Sequence, residues 1–293
     1  MSKSKILLQL DSDVQASVFD GVVAIDAGID QLFRHGGVRV SQLRELAYGA
    51  MFTRGVDDLR HTAIFVGGSD VAAGEAILAQ LQRVFFGPMR VSVMLDSNGA
   101  NTTAAAAVLT AAKHCPLRDA EALVLAATGP VGSRVVRLLA LEGARVKSAS
   151  RSLARAEAVC QSVAARCNGA KLTPVEINSA DQVQTAIKSA QIVIAAGAPG
   201  VELLSAAARA SGKKLIVAID LSAVPPLGLA GIEVTDKGVE RDGISCYGAV
   251  GVGGTKMKIH KAAIRQLFEA NDQVLDAEEI YRIAGQLAAT SVA

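Results

Sequence analysis

The sequence predicts a two-domain α/β protein: a doubly wound parallel sheet accompanied by a smaller N-terminal α/β domain. Three observations carry this. The chain has 293 residues, more than the roughly 100–200 of an ordinary domain. Its strand-like segments are mostly continuous apolar runs, the pattern of strands buried on both faces of a parallel sheet. These runs alternate with stretches of helical character, as βα units do. Apolar residues make up 51% and charged residues 20%, which excludes a disordered or fibrous chain. With no Trp and 3% aromatics, the core is built from Ala, Val, Leu and Ile.

In chain order, the run at 5–10 (Lys-Ile-Leu-Leu-Gln-Leu) is a first strand, closed by Asp11-Ser12-Asp13. A strand at 62–66 leads into a helix over 70–84, and a third strand follows at 90–95. The polar turn Asp96-Ser97-Asn98-Gly99-Ala100-Asn101 then precedes an Ala-rich helix over 102–113 with good N-cap candidates. A domain boundary belongs there. Further strands are expected at 122–126, 144–149, 172–177, 191–195 and 214–219. Helices over 130–141, 152–165, 180–189 and 201–210 separate them, and two more close the chain at 256–268 and 276–287. The expected division is residues 1–100, with a C-terminal helix of about 270–293 folding back, and residues 101–269.

Thirty Lys and Arg against 28 Asp and Glu leave a net charge of +2. A nucleic-acid partner gripped by a broad basic surface is therefore not expected, and base-stacking platforms are unlikely in so aromatic-poor a chain. Cys115, Cys160, Cys167 and Cys246 form no C-x-x-C pair, and no His stands at zinc-ligand spacing from them. They read as free thiols in a reducing cytosol, with no metal site. The N-terminus has no signal-type apolar region, and no apolar run reaches the ~18 residues that span a bilayer. A cytoplasmic protein without a membrane partner is expected.

The strongest chemical signal is Ala127-Thr128-Gly129-Pro130-Val131-Gly132, directly after the strand at 122–126 and opening a helix. It follows the G-x-G-x-x-G phosphate fingerprint with Ala127 in the first position, which makes the larger sheet Rossmann-type. Gly129 lets backbone N–H groups approach a pyrophosphate, Gly132 allows close helix–strand packing, and Pro130 suits the first helical turn. Ala127 departs from the pattern and is expected to bend the turn. The next strand ends in Ser150-Arg151-Ser152, with Arg155 one turn on. No acid stands there to bond a ribose 2′-hydroxyl, whereas Ser150, Arg151 and Arg155 suit a 2′-phosphate. NADP is therefore the expected cofactor. The competing reading is a merely solvated helix start, but positive charge at a helix N-terminus makes better sense with a bound anion. Ala196-Gly197 and Asp220 end the next two strands and are expected to complete the cofactor cleft. The stretch Gly251-Val-Gly253-Gly254-Thr-Lys256 reads as a flexible loop entering a helix.

The expected acid–base residues of an alcohol dehydrogenase are missing. None of the four His sits in a catalytic motif, and no Tyr is followed by Lys four residues later. This suggests hydride transfer without proton transfer. Several stretches then resemble the NADP-dependent methylene-tetrahydromethanopterin dehydrogenases of methylotrophic bacteria. They are Phe65-Val-Gly-Gly-Ser-Asp70-Val-Ala-Ala-Gly74-Glu, the segment from Phe86 through Asp96-Ser-Asn-Gly-Ala-Asn-Thr-Thr, Thr128-Gly-Pro-Val-Gly132, Pro225-Pro-Leu-Gly228 and Gly253-Gly-Thr-Lys256-Met-Lys-Ile-His260. The similarity runs to Asp276-Ala-Glu-Glu-Ile-Tyr281 and so covers essentially the whole chain.

The resemblance implies a tetrahydromethanopterin or tetrahydrofolate one-carbon substrate and a homo-oligomer, with a trimer favoured. It implies that Lys256 lies near the pterin. A lysine beside a forming cation calls for an acidic partner, with Asp20 and Asp96 the candidates, and Asn98 and Thr102 are expected to bond polar pterin edges. Each of the acids has an alternative as a helix or turn cap, and Asn98 and Thr102 as the start of the connecting helix. Other readings are the same reaction on methylene-tetrahydrofolate, an NADP oxidoreductase with a shikimate-like or amino-acid-like substrate, and a non-catalytic NADP sensor.

Overall fold

A computed structural model describes residues 3–290. Met1, Ser2 and residues 291–293, the end of the expected C-terminal helix, lie outside the described residues. In chain order the strands are β1 (Ile6–Asp11), β2 (Gln31–His35), β3 (Thr62–Gly67), β4 (Ser92–Leu95), β5 (Glu121–Leu125), β6 (Arg145–Ser150), β7 (Lys171–Glu176), β8 (Ile192–Ala195), β9 (Val217–Asp220), β10 (Lys237–Arg241), β11 (Ile244–Tyr247) and β12 (Val274–Leu275). The helices are α1 (Val18–Asp26), α2 (Leu43–Met51), α3 (Val71–Val84), α4 (Ala100–Ala111), α5 (Pro130–Leu141), α6 (Leu153–Ala164), α7 (Ala180–Ile187), α8 (Ala206–Ala210), α9 (Ala249–Gln266) and α10 (Ala277–Thr290).

The chain forms two compact units, one running to Thr102 and resuming at Met257, the other spanning Thr103–Lys256. Both crossings fall inside helices, α4 and α9. The return at Met257 differs from the 269/270 division read from the sequence, because α9 is one continuous helix shared between the units.

The first unit holds a five-stranded parallel sheet in the order β12-β4-β3-β1-β2. Its order reverses between β1 and β3, which opens a crevice at their carboxyl ends. Leu10, Leu43, Met51, Leu59, Ile64, Ile77 and Leu81 pack α2 and α3 onto the sheet and are almost completely buried. Burial of each such side chain contributes about 1.5–3 kcal/mol. α3 starts where Asp70 accepts the Ala73 N–H at 3.0 Å, a side-chain N-cap.

The second unit holds a seven-stranded sheet in the order β10-β11-β9-β8-β5-β6-β7, parallel except for the β10–β11 hairpin. Its switch point lies between β5 and β8. Leu123, Leu125, Val193, Ala195, Ala218 and Ile187 form its core.

Several elements depart from the sequence reading. β2 (Gln-Leu-Phe-Arg-His) is an edge strand without an apolar run, β12 is two residues long, and β10 is largely exposed. Helices α1 and α2 lie where no element was expected. α8 starts only at Ala206, because Leu204 first bridges Leu229 in extended form and Ser205 caps the helix through the Ala208 N–H.

The expected loop at 251–256 is instead the opening of α9. Its glycines permit this: a Cβ at Gly248 would overlap Glu233 O, and one at Gly251 would overlap Asp236 O. The helix start therefore packs backbone to backbone against the 233–236 turn. Gly248 and Val250 donate their N–H groups to Asp236 O and Val234 O, each at 2.9 Å.

Among the described residues no helix is long and apolar enough to cross a membrane, and no group of three or more His, Cys, Asp or Glu is placed to hold a metal ion. The four cysteines are buried free thiols. Burial pushes Cys115, Cys160 and Cys246 upward from the usual thiol range.

Candidate active site

The phosphate turn links β5 to α5. Gly129 is the N-cap of α5 in extended conformation, Pro130 is its first residue, and no side chain caps the helix. The first-turn N–H groups of Val131 and Gly132 are thus offered to an anion, reinforced by the helix dipole. A Cβ at Gly132 would stand 2.6 Å from Ala126 O and 2.8 Å from Ala127 Cα, so only glycine lets α5 approach the turn this closely. A Cβ at Gly129 would come no nearer than 3.8 Å to any neighbour, the Ala196 carbonyl among them. Gly129 and Ala196 therefore face each other across the switch point. These features fit a dinucleotide pyrophosphate.

The bend expected at Ala127 falls one residue earlier. Ala126 takes the left-handed conformation, φ 54°, while Ala127 is fully buried and donates its N–H to Ala149 O at 2.9 Å. Ala127 thus needs no glycine. A Cβ at Gly197 would lie 2.8 Å from Leu203 Cδ1, so a side chain there would push the end of Leu203 aside.

At the ribose end, Ser150 is 8% exposed and its Oγ accepts the Ser152 N–H at 3.2 Å. Arg151 and Arg155 are exposed at the start of α6. The Leu153 N–H donates to Glu176 Oε1 at 3.3 Å, and the β6–β7 register pairs Glu176 with Ser150.

Asp220 takes a different role from the cofactor contact expected of it. It is 1% exposed, and its carboxylate accepts the Ser222 and Leu229 N–H groups at 2.9 and 2.8 Å. Asp220 organises the 221–229 loop, which includes the cis Pro225–Pro226 bond. Burial raises its pKa, partly offset by the N–H groups of Leu229, Ser222 and Gly228.

In the first unit, acids gather at the carboxyl ends of the strands. The Cβ position of Gly67 lies 3.2 Å from Asp11 Oδ2 and 3.5 Å from Asp20 Oδ2, so β1 and α1 bring two carboxylates to the end of β3. Asp96, at the end of β4, accepts the Thr102 N–H at 3.0 Å and its hydroxyl at 2.6 Å. Asp96 Oδ2 is 4.0 Å from His260 Nδ1, and both side chains are almost fully buried. His260 stacks on Phe65 with ring centroids 5.5 Å apart.

Thr102, expected at a pterin edge, is fully buried with its hydroxyl taken by Asp96; it lies in the first turn of α4. Asn98 is exposed in left-handed conformation, φ 55°, and its N–H donates to Gly68 O at 2.6 Å.

Lys256 lines a cavity of about 190 Å³ with Thr103, Leu221, Ala249, Val252 and Gly253. A Cβ at Gly253 or Gly254 would meet nothing within 4 Å. These helical glycines are therefore not required by packing, and they leave an open helix face beside the lysine. Sequence reasoning missed Asp11, Phe65, Glu176 and His260. His260 had a usable signal, since it stands four residues after Lys256 and thus on the same side of α9.

A doubly wound unit with an uncapped phosphate turn, carried with a smaller parallel α/β unit rich in strand-end carboxylates, is the build of a two-domain nicotinamide-dinucleotide-dependent oxidoreductase. Residues 18–98 match the family model described as methylene-tetrahydromethanopterin dehydrogenase, N-terminal. The chain is 45% identical over 292 residues to the bifunctional protein MdtA of Methylorubrum extorquens, covering 98% of this chain and 100% of that protein. It is 31% identical to the NAD(P)-dependent methylenetetrahydromethanopterin dehydrogenase of the same organism, covering 93% and 95%. The chain belongs to the methylene-tetrahydromethanopterin dehydrogenase family, as its motifs suggested. Shikimate 5-dehydrogenase from Listeria monocytogenes shares the fold, with a TM-score of 0.53 over 96% of each chain at 14% identity.

Proposed function

We propose that the protein is an NADP-dependent dehydrogenase that oxidises methylene-tetrahydromethanopterin to the methenyl form in one-carbon (formaldehyde) oxidation. The observation that carries this is the open α9 face at Gly253 and Gly254 beside Lys256, in a chain related over its whole length to dehydrogenases of this family. Bound NADP supplies the hydride acceptor. The substrate carbon bridges two nitrogens, so loss of hydride leaves a methenyl cation stabilised by both lone pairs. No proton moves, which agrees with a sequence in which no Tyr is followed by Lys four residues later. Positioning and electrostatics supply the catalysis.

In this reading the glycine face of α9 receives a flat ring system, and Lys256 orients it. A cation beside a forming cation is unfavourable, so an acid, Asp20 or Asp96, is called for as a counter-charge. Asp96 acts from behind, holding His260 and Thr102. Gly129, Val131 and Gly132 hold the pyrophosphate, and Ser150, Arg151 and Arg155 the 2′-phosphate. The same proposal assigns NADP to the second unit, in a cytoplasmic homo-oligomer, with a trimer favoured.

The test is an initial-rate assay crossing methylene-tetrahydromethanopterin and methylene-tetrahydrofolate with NADP and NAD. Rapid NADP reduction with the methanopterin substrate is expected, and the folate arm ranks the two pterins. Tight NADP binding without turnover of either pterin refutes the proposal in favour of a sensor or another oxidoreductase.

A further inference from the structure

The end of β6 carries no acid for a ribose hydroxyl, but the fold brings one from the neighbouring strand. Glu176, the last residue of β7, pairs with Ser150 in the β6–β7 register. Its Oε1 accepts the N–H of Leu153, the first residue of α6, at 3.3 Å. The N-cap of that helix, Ser152, makes no side-chain cap, so the Glu176 carboxylate takes an N–H donor at the α6 N-terminus. Arg151 and Arg155 stand exposed at the same helix start.

We infer that Glu176 is a specificity-determining residue that holds the NADP-over-NAD preference down. This rests on the reading that Ser150, Arg151 and Arg155 receive the 2′-phosphate. A phosphate arriving at the α6 start meets a carboxylate already bonded to one of its donors, and like charges disfavour the pair. A ribose with a free 2′-hydroxyl meets an acceptor there instead, the role an acid at the end of the second strand ordinarily plays. The basic residues and Glu176 therefore act in opposite directions, and the chain retains use of both dinucleotides.

Calorimetric titration with 2′,5′-ADP and with ADP separates these contributions without turnover. Glu176→Gln keeps an acceptor for the Leu153 N–H and removes the charge. It should tighten 2′,5′-ADP by roughly three- to fivefold, the size of one partly exposed charge pair, while ADP binding is unchanged or weakened. The ratio of kcat/KM for NADP over NAD should rise to match. Glu176→Asp, which keeps the charge, should stay closer to the parent ratio than Glu176→Gln does.

Arg151→Ala, run in parallel, should weaken 2′,5′-ADP selectively. If it does so while Glu176→Gln leaves the 2′,5′-ADP to ADP ratio unchanged, Glu176 only secures the strand end and the inference is overturned. If Arg151→Ala leaves 2′,5′-ADP binding unaltered, the 2′-phosphate assignment itself fails, and this inference with it.

Discussion

Gly253 and Gly254 give the sharpest test of the site, because stability and activity should move in opposite directions. Both lie inside α9, where glycine costs about 1 kcal/mol relative to alanine. Neither has positive φ, and a Cβ at either position has no neighbour within 4 Å. Replacing both by alanine therefore adds no overlap and should stabilise the protein by about 2 kcal/mol. At about 2–4 °C per kcal/mol, the midpoint of thermal unfolding should rise by about 4–8 °C.

The two new methyl groups would occupy the face beside Lys256. If a flat pterin rests there, its displacement of about 1 Å should lower kcat/KM by roughly ten- to hundredfold. Scanning calorimetry and initial rates on the same preparation decide the matter. A stabilised variant with unchanged kcat/KM would show that this face does not carry substrate. A destabilised one would show that the glycines serve the backbone.

Gly132→Ala should act in the reverse sense. Its Cβ would meet backbone atoms at 2.6 and 2.8 Å, an overlap costing about 1–3 kcal/mol before the helix-propensity gain, and NADPH binding followed by fluorescence should weaken sharply. Lys256→Ala should lower turnover by about a hundredfold while equilibrium dialysis finds NADP binding intact; unchanged turnover would remove Lys256 from the site. His260→Ala would empty the space between Phe65 and Asp96 and should cost about 2–4 kcal/mol in urea unfolding.

Asp220 makes a pH-dependent contribution. Because burial raises its folded-state pKa, its effect on stability is most favourable below the unfolded carboxylate value of about 3.9 and is lost as pH rises through the raised folded value. The melting temperature of Asp220→Asn relative to the parent should therefore improve as pH rises from about 4 to 7. A difference that is flat with pH would contradict the burial argument.

Local rules were enough for much of this protein. Helices α3 and α5 lie where periodicity, Asp70 and Pro130 put them, because capping and helical spacing are properties of adjacent residues. The apolar runs of the inner strands were legible because strands covered on both faces are apolar at every position. The phosphate turn was legible because Gly132 is demanded by contacts within its own βα unit.

Edge strands β2 and β12 were not legible, since an exposed strand is made by its neighbour's hydrogen bonds and not by its own pattern. The glycines at 251–254 read as a loop because their reason for being helical, the backbone of 233–236, lies elsewhere in the chain. The sequence by itself determined the doubly wound architecture, the phosphate turn and the family. The tertiary structure decided the rest: Ala126 rather than Ala127 takes the strained turn position, Thr102 serves Asp96, Asp220 holds its loop, and Asp96 meets His260. Glu176 stands beside Ser150 for the same reason: partners across a sheet are chosen by strand order and register, which no local run of residues encodes.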